Sequence, residues 1–263
     1  MNIHPMASVA PEAKLGRSVL IGPGAVIDGQ VEIGDGTTVG PHAVITGHTT
    51  VGRDCYIYTG AVIGSPPQDL KYRGERSYLR IGDRNRIREY VTINPATEND
   101  QATIIGSDNL IMAYCHIAHN CQVGSHTVLA NNATLAGHVT VEDHAILGGL
   151  TAVHQFCRIG AYAMVGGYSK VIKDIPPYCL ADGYPARIYR LNRVGLKRHD
   201  FSPETLATLE RAYRLLVRSG LNLSQAIQHI RDELPPLPEI VRLLEFINGS
   251  RRGLALSRRS RYR

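Results

Sequence analysis

The chain has no tryptophan and only three phenylalanines among its 263 residues, so its core is expected to be mainly aliphatic. It also has no uninterrupted apolar run near the roughly 20 residues that a membrane-spanning helix needs. The first ten residues include His4 and Pro5 and do not resemble a secretory leader. These absences predict a cytoplasmic protein that has no transmembrane segment.

Common catalytic signatures are missing too, since the chain contains no G-x-G-x-x-G, P-loop, G-x-S-x-G or H-E-x-x-H motif. Five cysteines are present, and no two of them have C-x-x-C spacing. We expect space-filling thiols rather than disulfides or metal ligands at the four that fall in one slot of the repeat described next. These four are Cys55, Cys115, Cys121 and Cys157.

What the chain has is a period of six. Every sixth residue from Ile105 to Val171 is aliphatic, in twelve slots out of twelve, and the same holds from Ile3 to Ile63. Neither a helix, with a period of 3.6, nor a strand, with a period of 2, singles out every sixth residue. A fixed period of six is typical of a hexapeptide-repeat parallel β-helix, in which three hexads form one triangular coil.

The repeat breaks twice, over residues 65–80 and 94–104. Insertions in a solenoid project as loops, commonly over the binding face. The first break carries Gln68, Asp69 and Lys71, which makes it a candidate site; the alternative is an insertion that the fold merely tolerates.

After Val171 the ladder is predicted to stop at Ile175-Pro176-Pro177-Tyr178, and helical patterns follow. Helices are expected to open at Ser202-Pro203, Ser224 and Pro238. The predicted fold is mainly β: a β-helix domain over residues 1–186, followed by a small α-helical domain over residues 187–263.

The positive charge is concentrated in that second part. From Arg187 onward 16 Lys and Arg residues face 7 Asp and Glu, whereas the rest of the chain has 13 and 16. The excess predicts that an acidic protein, phosphates or a lipid surface docks there; the alternative is a solubilising surface.

Six of the eleven histidines lie between residues 116 and 154. Residues 18 apart lie above one another in a coil of three hexads, so His126 and His144 should stack, and His119 and His138 should lie on adjacent coils. Three or four imidazoles are therefore expected along one edge. They could provide a general base, hold a catalytic zinc ion, or be ordinary surface residues.

Longer segments resemble a known family. QDLKY, IGDRNRIRE, HIAHNCQVG, LANNATLAGHVTVEDHAILGG and TAVHQFCRIGAYAMVGG are similar to the cytoplasmic UDP-N-acetylglucosamine 3-O-acyltransferases, which catalyse the first step of lipid A synthesis. The resemblance covers nearly the whole chain. It implies a left-handed β-helix, a homotrimer with active sites between subunits, and no cofactor, metal or nucleic acid. It also implies that a 3-hydroxyacyl group is transferred from acyl carrier protein to the 3-hydroxyl of UDP-N-acetylglucosamine. Because acyl carrier proteins are acidic, the resemblance also names a partner for the basic C-terminal region.

The resemblance assigns roles by motif. His119 in HIAHN matches the general base, and Gly137 in LAGH matches the backbone donor to the oxyanion. Gly167 matches a position that limits acyl length. Residues that match substrate contacts are Gln68, Asp69, Lys71, His116, His138, His154, Gln155, Asn192 and Arg198.

Two positions depart from the family pattern. Some members have an acid immediately after the catalytic histidine, where this chain has Asn120. Asn94 replaces a histidine that some members use toward the nucleotide. Rival functions are the N-acyltransferase that acts on UDP-3-O-acylglucosamine, a γ-type zinc carbonic anhydrase, and a non-catalytic scaffold.

Overall fold

The computed structural model describes residues 2–256, and within them a triangular parallel β-helix is followed by four helices. Its three faces are sheets of 11, 9 and 8 strands, which we call faces 1, 2 and 3 in the order in which the chain visits them. The predicted parallel β-helix with a helical C-terminal part is confirmed.

Face 1 contains the strands Asn2–Ile3, Leu20–Ile21, Thr38–Val39, Tyr56–Ile57, Arg86–Ile87, Leu110–Ile111, Val128–Leu129, Ile146–Leu147, Met164–Val165, Cys179–Gly183 and Ala186–Leu191. Face 2 contains Ser8–Val9, Val26–Asp28, Val44–Thr46, Val62–Ile63, Thr92–Ile93, His116–Ile117, Thr134–Leu135, Ala152–Val153 and Lys170–Val171. Face 3 contains Lys14–Leu15, Val31–Ile33, His48–Val51, Tyr78–Ile81, Ala102–Ile105, Gln122–Val123, Thr140–Val141 and Arg158–Ile159.

The hexad ladder forms the core. Its aliphatic residues end the strands and point inward, so that Ile111, Ile117 and Val123, one per face of a single coil, are at most 2% exposed. Registers such as Leu110↔Val128 repeat every 18 residues in the uninterrupted coils, which confirms the predicted three hexads per coil. All five cysteines are free and buried, and for the four in the repeat this agrees with the expected space-filling role.

Both insertions leave the solenoid at the same corner. Residues 64–77 join the face 2 strand Val62–Ile63 to the face 3 strand Tyr78–Ile81, and residues 94–101 join the next strands of the same two faces. After the insertions, the strands Tyr78–Ile81 and Ala102–Ile105 each begin two residues earlier than the hexad pattern predicts. We call the edge between faces 2 and 3 the insertion corner, and the edge between faces 3 and 1 the stacking corner.

The hexad ladder ends at Ile175–Tyr178 as predicted, but the β-helix continues beyond it. Ile175 is still fully buried, and Cys179–Gly183 pairs in parallel with Met164–Val165 before a hairpin returns along Ala186–Leu191. The chain can continue because the prolines precede the added strand instead of lying within it. Face 1 therefore extends to Leu191, and the division into domains at residue 186 stays a prediction.

The helices are α1 (Arg193–Arg198), α2 (Pro203–Val217), α3 (Leu223–Glu233) and α4 (Pro238–Asn248). The predicted starts at Pro203 and Pro238 are confirmed, whereas α1 is too short to show a helical period. The third helix begins before Ser224, because Asn222 and Gln225 cap its first turn reciprocally.

None of the helices within residues 2–256 has the length and apolar character to cross a membrane. Residue 1 and residues 257–263, which include four of the arginines counted in the basic excess, lie outside the described part of the chain.

Candidate functional site

His119 lies at the insertion corner, two residues after the end of the strand His116–Ile117. Its side chain is only 14% exposed, and its Nε2 lies 3.8 Å from Asp69 Oδ2 on the first insertion. The ring meets the edge of the His138 ring, on the next coil, at a centroid distance of 5.2 Å. His119 and His138, which were predicted to lie on adjacent coils, are therefore close to each other, and the candidate loop brings Asp69 to His119.

Gly137 lies on the coil next to His119 and leaves no room for a side chain. A Cβ built there would lie 2.5 Å from His119 Cε1 and 2.6 Å from Nε2, so any larger residue would force the His119 ring to move. Among the hydrogen bonds of residues 2–256, none uses the Gly137 N–H as donor. At the corresponding position of the stacking corner, the Ser125 N–H donates to Asp143 Oδ1 at 2.8 Å. The Gly137 N–H is thus available to a ligand beside His119.

Asn120 contacts the other side of the His119 ring. Its Oδ1 lies 2.9 Å from His119 Nδ1 and accepts from the N–H and hydroxyl of Thr97 at 3.2 and 3.0 Å. Its Nδ2 donates to Glu98 Oε2 at 2.7 Å. Thr97 and Glu98 belong to the second insertion. The hexad pattern gave no signal for either residue beyond the break that contains them.

Burial sets the charge state of the neighbouring imidazoles. It lowers the pKa of His116 and His138, and the proximity of His119 lowers both further. Burial alone would raise the pKa of Glu98, but hydrogen bonds from Asn120 and Thr97 outweigh it and lower the pKa. The corner therefore combines neutral imidazoles with an ionised carboxylate at neutral pH.

His116 is held by the coil before it, because its Nδ1 lies 2.7 Å from Thr92 Oγ1. Asn94, on the same preceding coil, is buried and donates its amide to the carbonyl oxygens of Ser65 and Pro66 at 2.9 and 3.3 Å. This asparagine thus anchors the base of the first insertion.

The first insertion is braced around Asp69, whose Oδ1 accepts from the Lys71 N–H at 2.9 Å while its Oδ2 faces His119. Gln68 and Lys71 themselves are exposed. His154 and Gln155 are exposed one coil beyond His138, and His154 Nδ1 lies 3.3 Å from an Arg252 guanidinium nitrogen.

Three of the sequence-predicted residues lie elsewhere. Gly167 is at the corner between faces 1 and 2, while Asn192 and Arg198 lie beside face 1 and line a cavity of about 590 Å³. The side chain of Asn192 is already engaged, donating to Tyr162 O and accepting from the Gly195 N–H. Face 1 is opposite the insertion corner, so a single chain does not bring this set to His119.

The histidines also divide between two edges. His126 and His144 stack as predicted, with ring centroids 4.8 Å apart, but they do so at the stacking corner. Within the described residues no three His, Cys, Asp or Glu side chains are arranged to hold a metal ion.

Known proteins resemble this chain over its length. Residues 174–255 match the profile described as UDP-N-acetylglucosamine O-acyltransferase, domain 2, and residues 12–47, 30–65 and 102–137 match the bacterial transferase hexapeptide profile. The acyl-(acyl-carrier-protein)–UDP-N-acetylglucosamine O-acyltransferase of Paracidovorax citrulli is 56% identical, covering 97% of this chain and 99% of that protein. The corresponding enzyme of Thermodesulfovibrio yellowstonii is 51% identical, with 96% and 98% covered.

Solved structures agree. The UDP-N-acetylglucosamine O-acyltransferase of Moraxella catarrhalis superimposes with a TM-score of 0.93 at 43% identity, covering 97% of this chain and 100% of that one. The Francisella novicida UDP-N-acetylglucosamine acyltransferase gives 0.94 at 37% identity, with 98% and 95% covered. The chain therefore belongs to the acyl-(acyl-carrier-protein)–UDP-N-acetylglucosamine O-acyltransferase family, as its motifs indicate.

Proposed function

We propose that this protein transfers a 3-hydroxyacyl group from acyl carrier protein to the 3-hydroxyl of UDP-N-acetylglucosamine, the first step of lipid A synthesis. The observation that carries the proposal is that His119 Nε2 and Gly137, whose N–H donates no hydrogen bond, lie next to each other on adjacent coils. A base and an oxyanion donor side by side are what direct acyl transfer needs.

In this mechanism His119 Nε2 removes the proton of the sugar 3-hydroxyl as the oxygen attacks the thioester carbonyl. The carbonyl oxygen becomes an oxyanion that the Gly137 N–H stabilises. Collapse of the tetrahedral intermediate breaks the carbon–sulfur bond, and the imidazolium returns its proton to the leaving thiolate. The oxygen–carbon bond replaces the sulfur–carbon bond without an acyl-enzyme.

The remaining substrate contacts are proposed to come from a second copy of the chain in a homotrimer. Gly167, Asn192 and Arg198 lie away from the insertion corner of their own chain, so a neighbouring subunit would have to present them to His119. A closed three-fold ring uses each surface once and gives three equivalent sites. Asn192 would then act chiefly by holding α1, with Arg198 reaching the nucleotide phosphates.

We assign acyl-length selection to the region of Gly167. Its neighbour on the preceding coil is another glycine, Gly149, whose carbonyl oxygen would lie 3.1 Å from a Cβ built at Gly167. Two stacked glycines leave an open strip of backbone at this corner, which suits a longer chain than a bulky side chain would admit.

The carrier protein is proposed to dock on the basic C-terminal part. Arg193, Lys197, Arg211 and Arg214 line one groove between α1 and α2. Long-range attraction to an acidic carrier is screened by salt, so the KM for the acylated carrier should rise roughly tenfold between low and high ionic strength. The KM for a short acyl-pantetheine should change little. Equal salt dependence of the two values would contradict docking by charge.

The activity is tested by incubating the purified protein with UDP-N-acetylglucosamine and a panel of 3-hydroxyacyl carrier proteins. The expected product is an O-acylated sugar nucleotide. Activity only toward UDP-3-O-acylglucosamine with a free amine would instead favour the N-acyltransferase. A trapped acyl-enzyme would exclude direct transfer.

A further inference from the structure

We infer that Glu98 is a positioning residue for His119 and acts through the side chain of Asn120. The inference rests on the proposed function of His119 as general base. It explains how this chain can have an amide where some family members have an acid.

An asparagine beside His119 could present either its oxygen or its nitrogen to the ring. Only the oxygen is useful, because it accepts the Nδ1–H and leaves Nε2 without a proton as the base. The alternative rotamer would place an N–H₂ group against Nδ1 and favour the tautomer that carries its proton on Nε2. The orientation of one amide therefore decides whether His119 can act.

Two neighbours with fixed hydrogen-bonding character set this orientation. The Thr97 N–H can only donate, and it lies 3.2 Å from Asn120 Oδ1. The carboxylate of Glu98 can only accept, and it lies 2.7 Å from Asn120 Nδ2. Reversing the amide would break both interactions, and the shorter, charge-assisted one is the bond to Glu98.

Glu98 thus acts on His119 through the Asn120 amide, whereas in some family members an acid contacts the histidine directly. The amide is polarised by the charge that it contacts, and its oxygen becomes a better acceptor for the Nδ1–H. Besides Glu98, the second insertion contributes Thr97, whose hydroxyl donates to Asn120 Oδ1 at 3.0 Å, whereas Asn99 and Asp100 turn to Arg76.

The test compares Glu98→Ala with Glu98→Gln in the acyl-transfer assay. Glu98→Ala should lower kcat about fivefold to tenfold while leaving both KM values nearly unchanged, since Thr97 still holds the amide in part. Glu98→Gln keeps an acceptor and should recover most of kcat. Adding Asn120→Asp to Glu98→Ala should also restore kcat, because an acid beside His119 accepts the Nδ1–H in either orientation.

A readout independent of activity is the tautomer of His119, measured by nitrogen-15 NMR of the histidine side chains. The natural protein should show a single Nδ1–H form, and Glu98→Ala a mixture. The matched control is Asp100→Ala, an exposed acid of the same loop that pairs with Arg76, and it should change neither kcat nor the tautomer.

The inference is overturned if Glu98→Ala keeps both the natural kcat and a pure Nδ1–H tautomer, or if its loss appears only in KM. His119→Ala, assayed in parallel, distinguishes a failure of the proposed general base from a failure of the inferred role of Glu98. If His119→Ala keeps most of the rate, the general-base function fails and this inference falls with it. If His119→Ala is inactive and Glu98→Ala is normal, only the role of Glu98 is wrong.

Discussion

Two corners of the same solenoid carry paired histidines, and they differ in what covers them. At the insertion corner His138 follows His119, and at the stacking corner His144 follows His126. His126, His138 and His144 all have left-handed backbones, with φ of 58°, 60° and 59°. The corner backbone is therefore similar at both edges, and it does not by itself make a histidine functional.

The difference lies in the neighbours. The insertion corner is covered by two loops that bring Asp69 and Glu98 toward the imidazoles. At the stacking corner the His144 ring lies between those of His126 and Tyr162, at 4.8 and 4.5 Å, and His199 after α1 meets its edge. Both corners stack rings and hold a carboxylate near an imidazole, since His138 stacks on Phe156 at 4.7 Å and His126 Nε2 lies 3.9 Å from Asp108 Oδ2. The insertion corner adds the contact of Asn120 with His119 and the open Gly137 N–H.

The largest expected effect separates the two corners directly. His119→Ala removes the base and should lower kcat roughly a thousandfold, within the range typical of general-base catalysis. His126→Ala removes an imidazole from the stacking corner and should leave kcat within about twofold, because it touches no proposed substrate group. Both are measured in the acyl-transfer assay on protein whose oligomeric state and thermal unfolding match the natural chain.

Comparable losses in the two variants would mean that the corners are equivalent and that the proposed site is wrong. A His119→Ala protein with most of its rate would refute the mechanism even if His126→Ala were normal.

A smaller loss is expected from Gly137→Ala. The added methyl group would overlap His119, whose Nε2 lies 2.6 Å from the built Cβ, so the ring must move while the backbone N–H remains. Displacing a catalytic group by about 1 Å can cost about a hundredfold in rate. The control is Gly249→Ala at the C-terminal end of α4, where the atom nearest to a built Cβ is Arg158 Nη1 at 3.1 Å. A Gly137→Ala enzyme as active as the control would show that close packing on His119 is not needed.

The fold was predictable because one periodic signal specifies it. Each sixth residue fills the interior, so Ile105 to Val171 fixes the coil length without any knowledge of distant contacts. The end of the solenoid was less predictable, because the prolines at 176 and 177 resemble a stop and the added strand Cys179–Gly183 lacks the hexad pattern. Helix α1 has only six residues and shows no period of its own.

The site was predictable only in part. Spacing by 18 or 19 residues places His119 beside His138, but it cannot say what an insertion does after it leaves the coil. Glu98 reaches Asn120 through an irregular loop, and no repeat encodes that contact. Likewise, spacing alone predicted three or four imidazoles along one edge, and only the assignment of strands to faces separates His126 and His144 from the rest.

The smallest expected effect is on the pH dependence of stability at the stacking corner. Burial, followed by the charges of His199 and His126, lowers the pKa of His144 from its ordinary 6.5, and Arg242 acts in the same direction against Asp143. Above about pH 7 the imidazole is neutral in both folded and unfolded chains and contributes nothing. As the pH falls through 6.5 toward the lowered folded value, the unfolded chain binds the proton first, so the free energy of unfolding decreases.

His144→Phe keeps an aromatic ring in the stack and cannot take up a proton. Its free energy of unfolding, measured with urea at about pH 8 and about pH 5, should therefore fall less on acidification than that of the natural chain. His42→Phe, at an exposed position outside the stack, serves as control and should follow the natural chain. If His144→Phe lost as much stability on acidification as the control, the packed imidazole would not be the group that makes the stacking corner sensitive to acid.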